Sequence, residues 1–300
     1  MAEYRCRTGG RRALGHLVVA LLCALALHAG AVQVADDRGH VLDLPQPPRR
    51  VVTMMPGFTE IVCQLGACAR LVGVDSYSDW PDAVRRLPRL GGLDDANIER
   101  IVALEPDLVI VYASSRAVGR LEAAGIKVLA LQPRSLADVR RAWAKIGLAL
   151  GAQDAPVAWE RLESELDSVA RSLPAGLRGT TVYFEVNSGP YAASESSFIG
   201  ELLARVGAAN IVPGRLGPFP KLNPEFVVRA NPQVIMISER YAQALGQRPG
   251  WDRIRAVRDG RVCVFSAQQG DLLVRPGPRM AQAAQLMVDC LQGRVKEIAR

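Results

Sequence analysis

NIERIVALEPDLVIV, residues 97–111, returns 126 positions later as NPEFVVRANPQVIMI, residues 223–237. In both copies an asparagine opens the run, a glutamate stands two residues on, a proline stops it, and an apolar stretch follows. An asparagine side chain accepts hydrogen bonds from the free amides of a helix's first turn, and proline disfavours helix in the residue before it. The pattern predicts a short helix from Asn97 to about Leu104, a turn at Pro106 and a buried strand over Leu108–Val111.

Arg50–Met54 reads as another buried strand, broken by Pro56-Gly57, with Thr59 as the cap of a helix ending at Gly66. Leu71–Val74 is the next strand, and Gly125–Leu129 follows a third helix as one more. These are alternating βα units. Their landmarks recur in order in the second half. Glu60–Gly66 is echoed by Glu201–Gly207 at an offset of 141, the opening motif recurs at 126, and Gly125 before a strand recurs at 135 as Gly260 before Val262–Phe265. Three matches in series predict two similar Rossmann-like α/β lobes, since solenoid repeats have periods of only about 20–50 residues.

Between the halves, Trp159, Leu162, Leu166, Val169 and Leu173 are spaced 3, 4, 3, 4. That spacing puts one apolar stripe on a helix of roughly 17–20 residues, with Asp154 as its cap and Pro156 in its first turn. A single helix joining the lobes would limit how far they open. The expected division is a lobe over 32–150, a linking helix over 151–175 and a second lobe over 176–300, with a ligand cleft between the lobes.

Residues 1–31 read as a secretory signal peptide: four arginines precede an uncharged stretch from Ala13 to Val34 with small-residue exits. A membrane anchor is the alternative, but His16 and His28 interrupt the run. Export to the periplasm is expected. Removing four Arg and one Glu takes the net charge from +7 to 7 − 3 = +4, with no dense basic cluster to suggest nucleic acid. In an oxidising compartment Cys63, Cys68, Cys263 and Cys290 are expected to form one or two disulfides, with pairing left open. Their spacing lacks the close pairs of a zinc site, and His40 is the one histidine after the leader. Neither a metal site nor a resident cofactor is expected.

Val51 through Glu60, Gly73-Val74-Asp75-Ser76-Tyr77-Ser78-Asp79-Trp80-Pro81, residues 97–111 and residues 223–237 together resemble periplasmic receptors of the helical-backbone class. These receptors feed metal chelates such as cobalamin, haem or iron siderophores to ABC importers. The likeness covers about residues 48–293 and is strongest to the cobalamin-binding members, over Ser76–Asp79. It implies a monomeric, non-enzymatic receptor. It also implies that Glu99 and Glu225 dock on arginines of the ABC permease, a two-point electrostatic grip that fixes orientation. Either glutamate alone would equally serve to complement the positive end of its helix. Carried over residue by residue, the resemblance assigns Tyr77, Tyr112, Tyr191 and Phe219 to the cleft walls and Asp271 and Arg275 to its rim. The family pattern has tryptophan where Leu93, Tyr112 and Phe219 stand here.

A haem or iron-siderophore receptor is the sibling alternative, because tyrosine phenolate can ligate haem iron and arginine can pair with carboxylates. An exported two-lobed enzyme is the remote one. The sequence lacks a G-x-S-x-G elbow, a G-x-x-x-x-G-K-[ST] phosphate loop and H-E-x-x-H, and Asp94-Asp95 reads more simply as a solvated turn than as an acid/base pair.

Overall fold

The computed structural model describes residues 31–243 and 245–295. The expected signal segment lies outside them apart from Ala31. No helix among the described residues is long and apolar enough to cross a membrane.

Lobe 1 opens with an antiparallel ribbon of β1 (Val32–Ala35) and β2 (Val41–Leu44) that the hydrophobic pattern had not indicated. Its main sheet is parallel, with β3 (Val51–Thr53), β4 (Leu71–Val74), β5 (Leu108–Tyr112) and β6 (Val128–Leu131) in the order β4-β3-β5-β6. Its helices are α1 (Pro56–Gln64), α2 (Ile98–Ala103), α3 (Ala117–Ala123) and α4 (Leu136–Leu150), and α5 (Ala155–Arg171) follows. Lobe 2 contains β7 (Thr181–Asn187), β8 (Tyr191–Ala192), α6 (Phe198–Arg205), β9 (Ala209–Asn210), α7 (Pro224–Ala230), β10 (Val234–Ser238), α8 (Glu239–Ala242), α9 (Arg255–Arg258), β11 (Val262–Phe265), α10 (Ala267–Leu273) and α11 (Met280–Leu291). Strands β9, β7, β10 and β11 repeat the parallel order of lobe 1, and β8 adds an antiparallel strand to β7.

The repeated motif folds the same way twice. Asn97 accepts from the amide of Arg100 at the start of α2, and Asn223 accepts from that of Glu225 at the start of α7. Each helix gives way to a residue in the left-handed region, Glu105 at φ 44° and Asn231 at φ 47°. Among the described residues these are the two non-glycine positions with positive φ, and they occupy matching sites immediately before Pro106 and Pro232. Left-handed geometry is costly for ordinary side chains, so its recurrence marks the same turn.

The strands after these turns are buried on both faces. Leu108 and Ile110 of β5, like Val234 and Met236 of β10, face one large core that runs through both lobes. The alternate residues Val109 and Val111 face a smaller outer core of lobe 1, and Ile235 and Ile237 that of lobe 2. The shared core also takes in Trp159, Leu162 and Leu166 from α5, Trp143 from α4 and Met287 from α11. Helix α5 has the expected stripe and Pro156 in its first turn, but the Asp154 side chain makes no capping hydrogen bond. Leu173 is buried just beyond the helix end. Because α5 packs on both α4 and α11, the lobes are joined through a continuous apolar layer as well as by the chain itself.

One expected cap is corrected. Helix α1 starts at Pro56, whose missing amide suits a first helical position, with Met55 rather than Thr59 at the cap. The buried Thr59 hydroxyl instead lies 2.7 Å from both the Thr53 and Ser78 hydroxyls. The cysteines pair as Cys63–Cys68 and Cys263–Cys290; the first closes the end of α1 and the second fastens β11 to α11.

Candidate functional site

The carboxyl ends of the parallel strands carry the segments that the two lobes bring together, the usual place for ligands in open α/β sheets. After β4 the chain turns through Asp75–Pro81. Asp75 is buried; its carboxylate accepts from the Tyr77 amide at 2.7 Å and from the Ser78 hydroxyl, which continues the chain of hydroxyls to Thr59 and Thr53. Burial pushes the Asp75 carboxyl above its ordinary range, against the Ser78 and Tyr77 hydrogen bonds and the charges of Arg275 and Arg89. Arg89 donates to the carbonyls of Asp75 and Ser78. The loop backbone is therefore fixed, yet the Tyr77 side chain projects outward and the residue is 68% exposed.

Tyr77 is linked by local contacts to Leu93 and Tyr112. Its ring lies against Gly92, where a Cβ would come within 3.2 Å of Cε2. The adjacent Leu93 is exposed, and its carbonyl accepts from the Ser115 hydroxyl at 2.9 Å. Ser115 in turn donates its amide to the carbonyl of Tyr112, the half-buried last residue of β5.

Lobe 2 carries the other two aromatic positions, Tyr191 and Phe219. Tyr191 in β8 is half-exposed, with its backbone bridged to Lys221, and Ala192 beside it donates to the Pro220 carbonyl. This brings Tyr191 close in the chain's path to Phe219. The Phe219 ring packs edge-on against Phe198, at 6.2 Å between centroids, and joins the border of the shared core, so much of it serves packing.

Between the lobes stands an ion cluster that the sequence did not reveal. Glu60, in the middle of α1, is buried and takes a two-pronged bond from Arg279, one prong at 2.9 Å. Arg275 reaches Asp79 at 2.5 Å, the Tyr77 carbonyl at 3.0 Å, Glu60 at 3.4 Å and Asp271 at 3.7 Å. Burial works against the Arg275 charge, but the hydrogen bond and charge of Asp79, with Glu60 and Asp271, outweigh it and hold the guanidinium protonated. Asp79 likewise loses solvent, yet its bond to Arg275 takes its carboxyl below the ordinary range. The Arg279 guanidinium also covers the Trp80 ring at 4.8 Å. Asp271 is paired with Arg240 at 2.7 Å. Both rim residues assigned by resemblance are therefore engaged with protein partners. Glu60 had one sequence signal: a carboxylate among Phe58, Ile61 and Val62 must be buried with a partner or break the helix's apolar face.

The two glutamates of the repeat play reciprocal parts. Glu60 in lobe 1 meets Arg279, at the start of α11 in lobe 2, while Glu201 of α6 in lobe 2 accepts from the Leu136 amide at the start of α4 in lobe 1. The Phe198 amide donates to the Arg134 carbonyl at 2.7 Å beside that second contact.

Two cavities lie in lobe 2. A small recess of about 40 Å³ is bordered by Glu185, Arg240, Tyr241 and Asp271. A larger open one of about 1170 Å³ is bordered by Leu245, Arg248, Trp251 and Val262; it includes none of the residues that sequence reading had assigned to the ligand. Glu99 and Glu225 are on the surface, with side chains 80% and 77% exposed in the first turns of α2 and α7. Each has only a weak exposed partner, Arg120 at 3.4 Å and Arg229 at 3.7 Å. No group of three or more potential metal-ligating His, Cys, Asp or Glu side chains occurs among the described residues.

A fold of two parallel-sheet lobes facing each other across such a seam is that of an extracytoplasmic solute receptor. The family model described as "Periplasmic binding protein" matches residues 51–268, and the chain belongs to that family. It is 28% identical over 282 residues to an ABC transporter substrate-binding lipoprotein of Bacillus subtilis (strain 168), covering 87% of this chain and 85% of that protein. It is 26% identical over 249 residues to a vitamin B12-binding protein of Vibrio vulnificus (strain CMCP6), covering 80% and 88%. Among solved structures, a periplasmic heme-binding protein from Pseudomonas aeruginosa superposes with a TM-score of 0.69 at 26% identity, covering 84% of this chain and 95% of that one.

Proposed function

We propose that this protein is the periplasmic receptor of an ABC importer, capturing a metal chelate between its lobes and handing it to the permease without chemical change. The chelate favoured is a cobalamin-like corrinoid. The observation that carries the reading is the exposed Tyr77 ring on a loop whose backbone is fully anchored. With Tyr112 and Tyr191 it offers the flat, partly apolar surface a macrocycle needs, and Asp271 supplies a polar rim. The likeness to a vitamin B12-binding protein supports the same choice. The exposed phenol of Tyr77 and the likeness to a heme-binding protein support haem as the second reading.

Isothermal titration of the mature protein with cyanocobalamin, against haemin and ferric siderophores in the same buffer, tests this. One-to-one binding of cyanocobalamin is expected, weakened at least about 30-fold by Tyr77→Ala, the scale of a central aromatic anchor worth roughly 2 kcal/mol. Binding of haemin alone would move the assignment to the second reading; recovery of an altered chelate would point to an enzyme.

Glu99 and Glu225 are proposed to engage the permease. The exposure of both side chains and their equivalence in the repeat support this. In vesicles carrying the cognate permease, Glu99→Arg with Glu225→Arg is expected to abolish receptor-dependent uptake while chelate affinity stays within about twofold. If the carboxylates serve only their helix termini, each reversal would cost about 0.3–1 kcal/mol of stability and uptake would persist.

A further inference from the structure

We infer that Arg275 is a positioning residue that couples contact between the lobes to the placement of the Tyr77 wall, and is not itself a ligand contact. This rests on the reading of Tyr77 as part of the binding surface. Arg275 belongs to lobe 2, yet its most direct bonds go to lobe 1: Asp79 at 2.5 Å and the Tyr77 carbonyl at 3.0 Å. The guanidinium is enclosed, with its side chain 8% exposed, and Glu60 and Asp271 take up its remaining reach. A guanidinium directed at four acceptors has little left to offer a chelate, and withdrawing it would leave Glu60 and Asp79 short of a counter-charge in a partly desolvated seam. The Tyr77 carbonyl adjoins the Asp75–Ser78 hydrogen bonds that fix the loop. The bond from Arg275 therefore closes a frame whose other members all come from lobe 1, so the tyrosine is held in place when the lobes meet.

The geometry also explains why arginine rather than lysine stands here. A fork can bridge a carboxylate on one side and a carbonyl on the other in fixed directions, which a single ammonium cannot.

Hydrogen–deuterium exchange on the ligand-free protein tests the placement directly. Arg275→Gln is expected to speed exchange of the Ser76 and Tyr77 amides at least about tenfold, although the substitution lies in the other lobe, with exchange across β7 and β10 unchanged. Arg275→Lys should give most of the same increase. Asp79→Asn, made from the lobe 1 side and leaving Arg275 paired with Glu60, should give a smaller increase at the same amides and serves if the Arg275 variants fold poorly. Unchanged exchange at Ser76 and Tyr77 in every variant overturns the inference.

Titrations supply the second arm. A positioning role predicts that Arg275→Gln weakens cyanocobalamin and dianionic haemin by similar factors, whichever the wild type binds, with no rescue by lysine. A loss confined to haemin and restored by Arg275→Lys would make Arg275 a ligand contact and overturn the inference. If the wild type binds neither chelate, the functional reading fails, and the exchange data still decide the role of Arg275.

Discussion

Gly57→Ala is expected to weaken ligand capture by roughly 5- to 150-fold while shifting the unfolding temperature of the ligand-free protein by no more than about 3 °C. Gly57 occupies the first turn of α1, and a Cβ there would lie 2.3 Å from the carbonyl oxygen of Pro276, across the seam in lobe 2. Backbone cannot yield as a flexible side chain can, so the methyl acts as a wedge between the lobes. Overpacking of this kind costs about 1 to 3 kcal/mol, which is the quoted range of affinity if binding requires the lobes to meet as they do here. Within lobe 1 the same substitution is neutral to favourable, since alanine exceeds glycine in helix propensity by about 1 kcal/mol. Opening the seam also returns Glu60, Arg275 and Arg279 to water, which offsets the lost ion pairs. Titration with the bound chelate and small-angle scattering on the free protein check the two halves: affinity should fall and the radius of gyration should rise. A loss of stability beyond about 3 °C with unchanged affinity would mean the contact belongs to folding alone.

The seam shows where sequence reading reaches its limit. The paired motif at 97–111 and 223–237 was legible because its signals are local: a capping asparagine, a stopping proline and an apolar run within fifteen residues. Its turns and the burial of the strands that follow them were read from it, while the order of the strands in each sheet came from the fold. The linking helix was legible for the same reason, since Trp159, Leu162 and Leu166 lie on one stripe. Helix α4 carries a local signal of its own, a weaker one. Ser135 and Asp138 form a reciprocal cap, and Leu136, Val139, Trp143 and Ile146 fall at helical spacing, but the many alanines between them blur the contrast of the stripe. Thr59 misled because a threonine before an apolar run usually caps, and only the fold reveals that its hydroxyl belongs to a buried chain ending at Asp75.

The pairing within the ion cluster could not be read from the sequence. Glu60 and Arg279 are separated by 219 positions, and nothing in either neighbourhood names the other. What the sequence did hold was the anomaly of a carboxylate inside an apolar helix and its echo at Glu201. That echo has a physical meaning only when both lobes are seen together: each glutamate reaches the start of the other lobe's last helix. Resemblance assigned Arg275 and Asp271 to the rim but gave no sign that Arg275 also pairs with Asp79 and Glu60, because such contacts depend on local residues.

Arg248→Met is expected to lower the unfolding free energy by about 3 to 5 kcal/mol, the usual cost of leaving a buried charge without its partner. Glu185, at the C-terminal part of β7, is buried and takes both prongs of Arg248 at 2.6 and 2.7 Å. The Tyr183 hydroxyl donates to the same carboxylate at 3.0 Å, and burial, then the Glu185 charge, drives that phenol far above its ordinary range, so it stays a donor at any working pH. Without Arg248 the tyrosine alone would face the carboxylate. The arginine also stacks over Trp251 at 4.4 Å, and Trp251 packs edge-on against Tyr183; together these hold the segment after α8 against the outer face of the lobe 2 sheet. Urea unfolding followed by tryptophan fluorescence measures the loss. The pairing itself is tested by adding Glu185→Leu: if the cost of Arg248→Met is the stranded carboxylate, the double variant should recover much of it, because apolar groups of similar size often replace a buried ion pair at little net cost. If instead Arg248 acts mainly by covering Trp251, methionine should preserve most of that contact, the single variant should lose less than about 1 kcal/mol, and Glu185→Leu should restore nothing. Whichever residue carries the energy, Glu185 itself borders the lobe 2 recess that includes Arg240 and Asp271. A destabilised pair should therefore loosen the recess before the sheet, seen as faster exchange over 239–243 at urea concentrations where β7 and β10 remain protected.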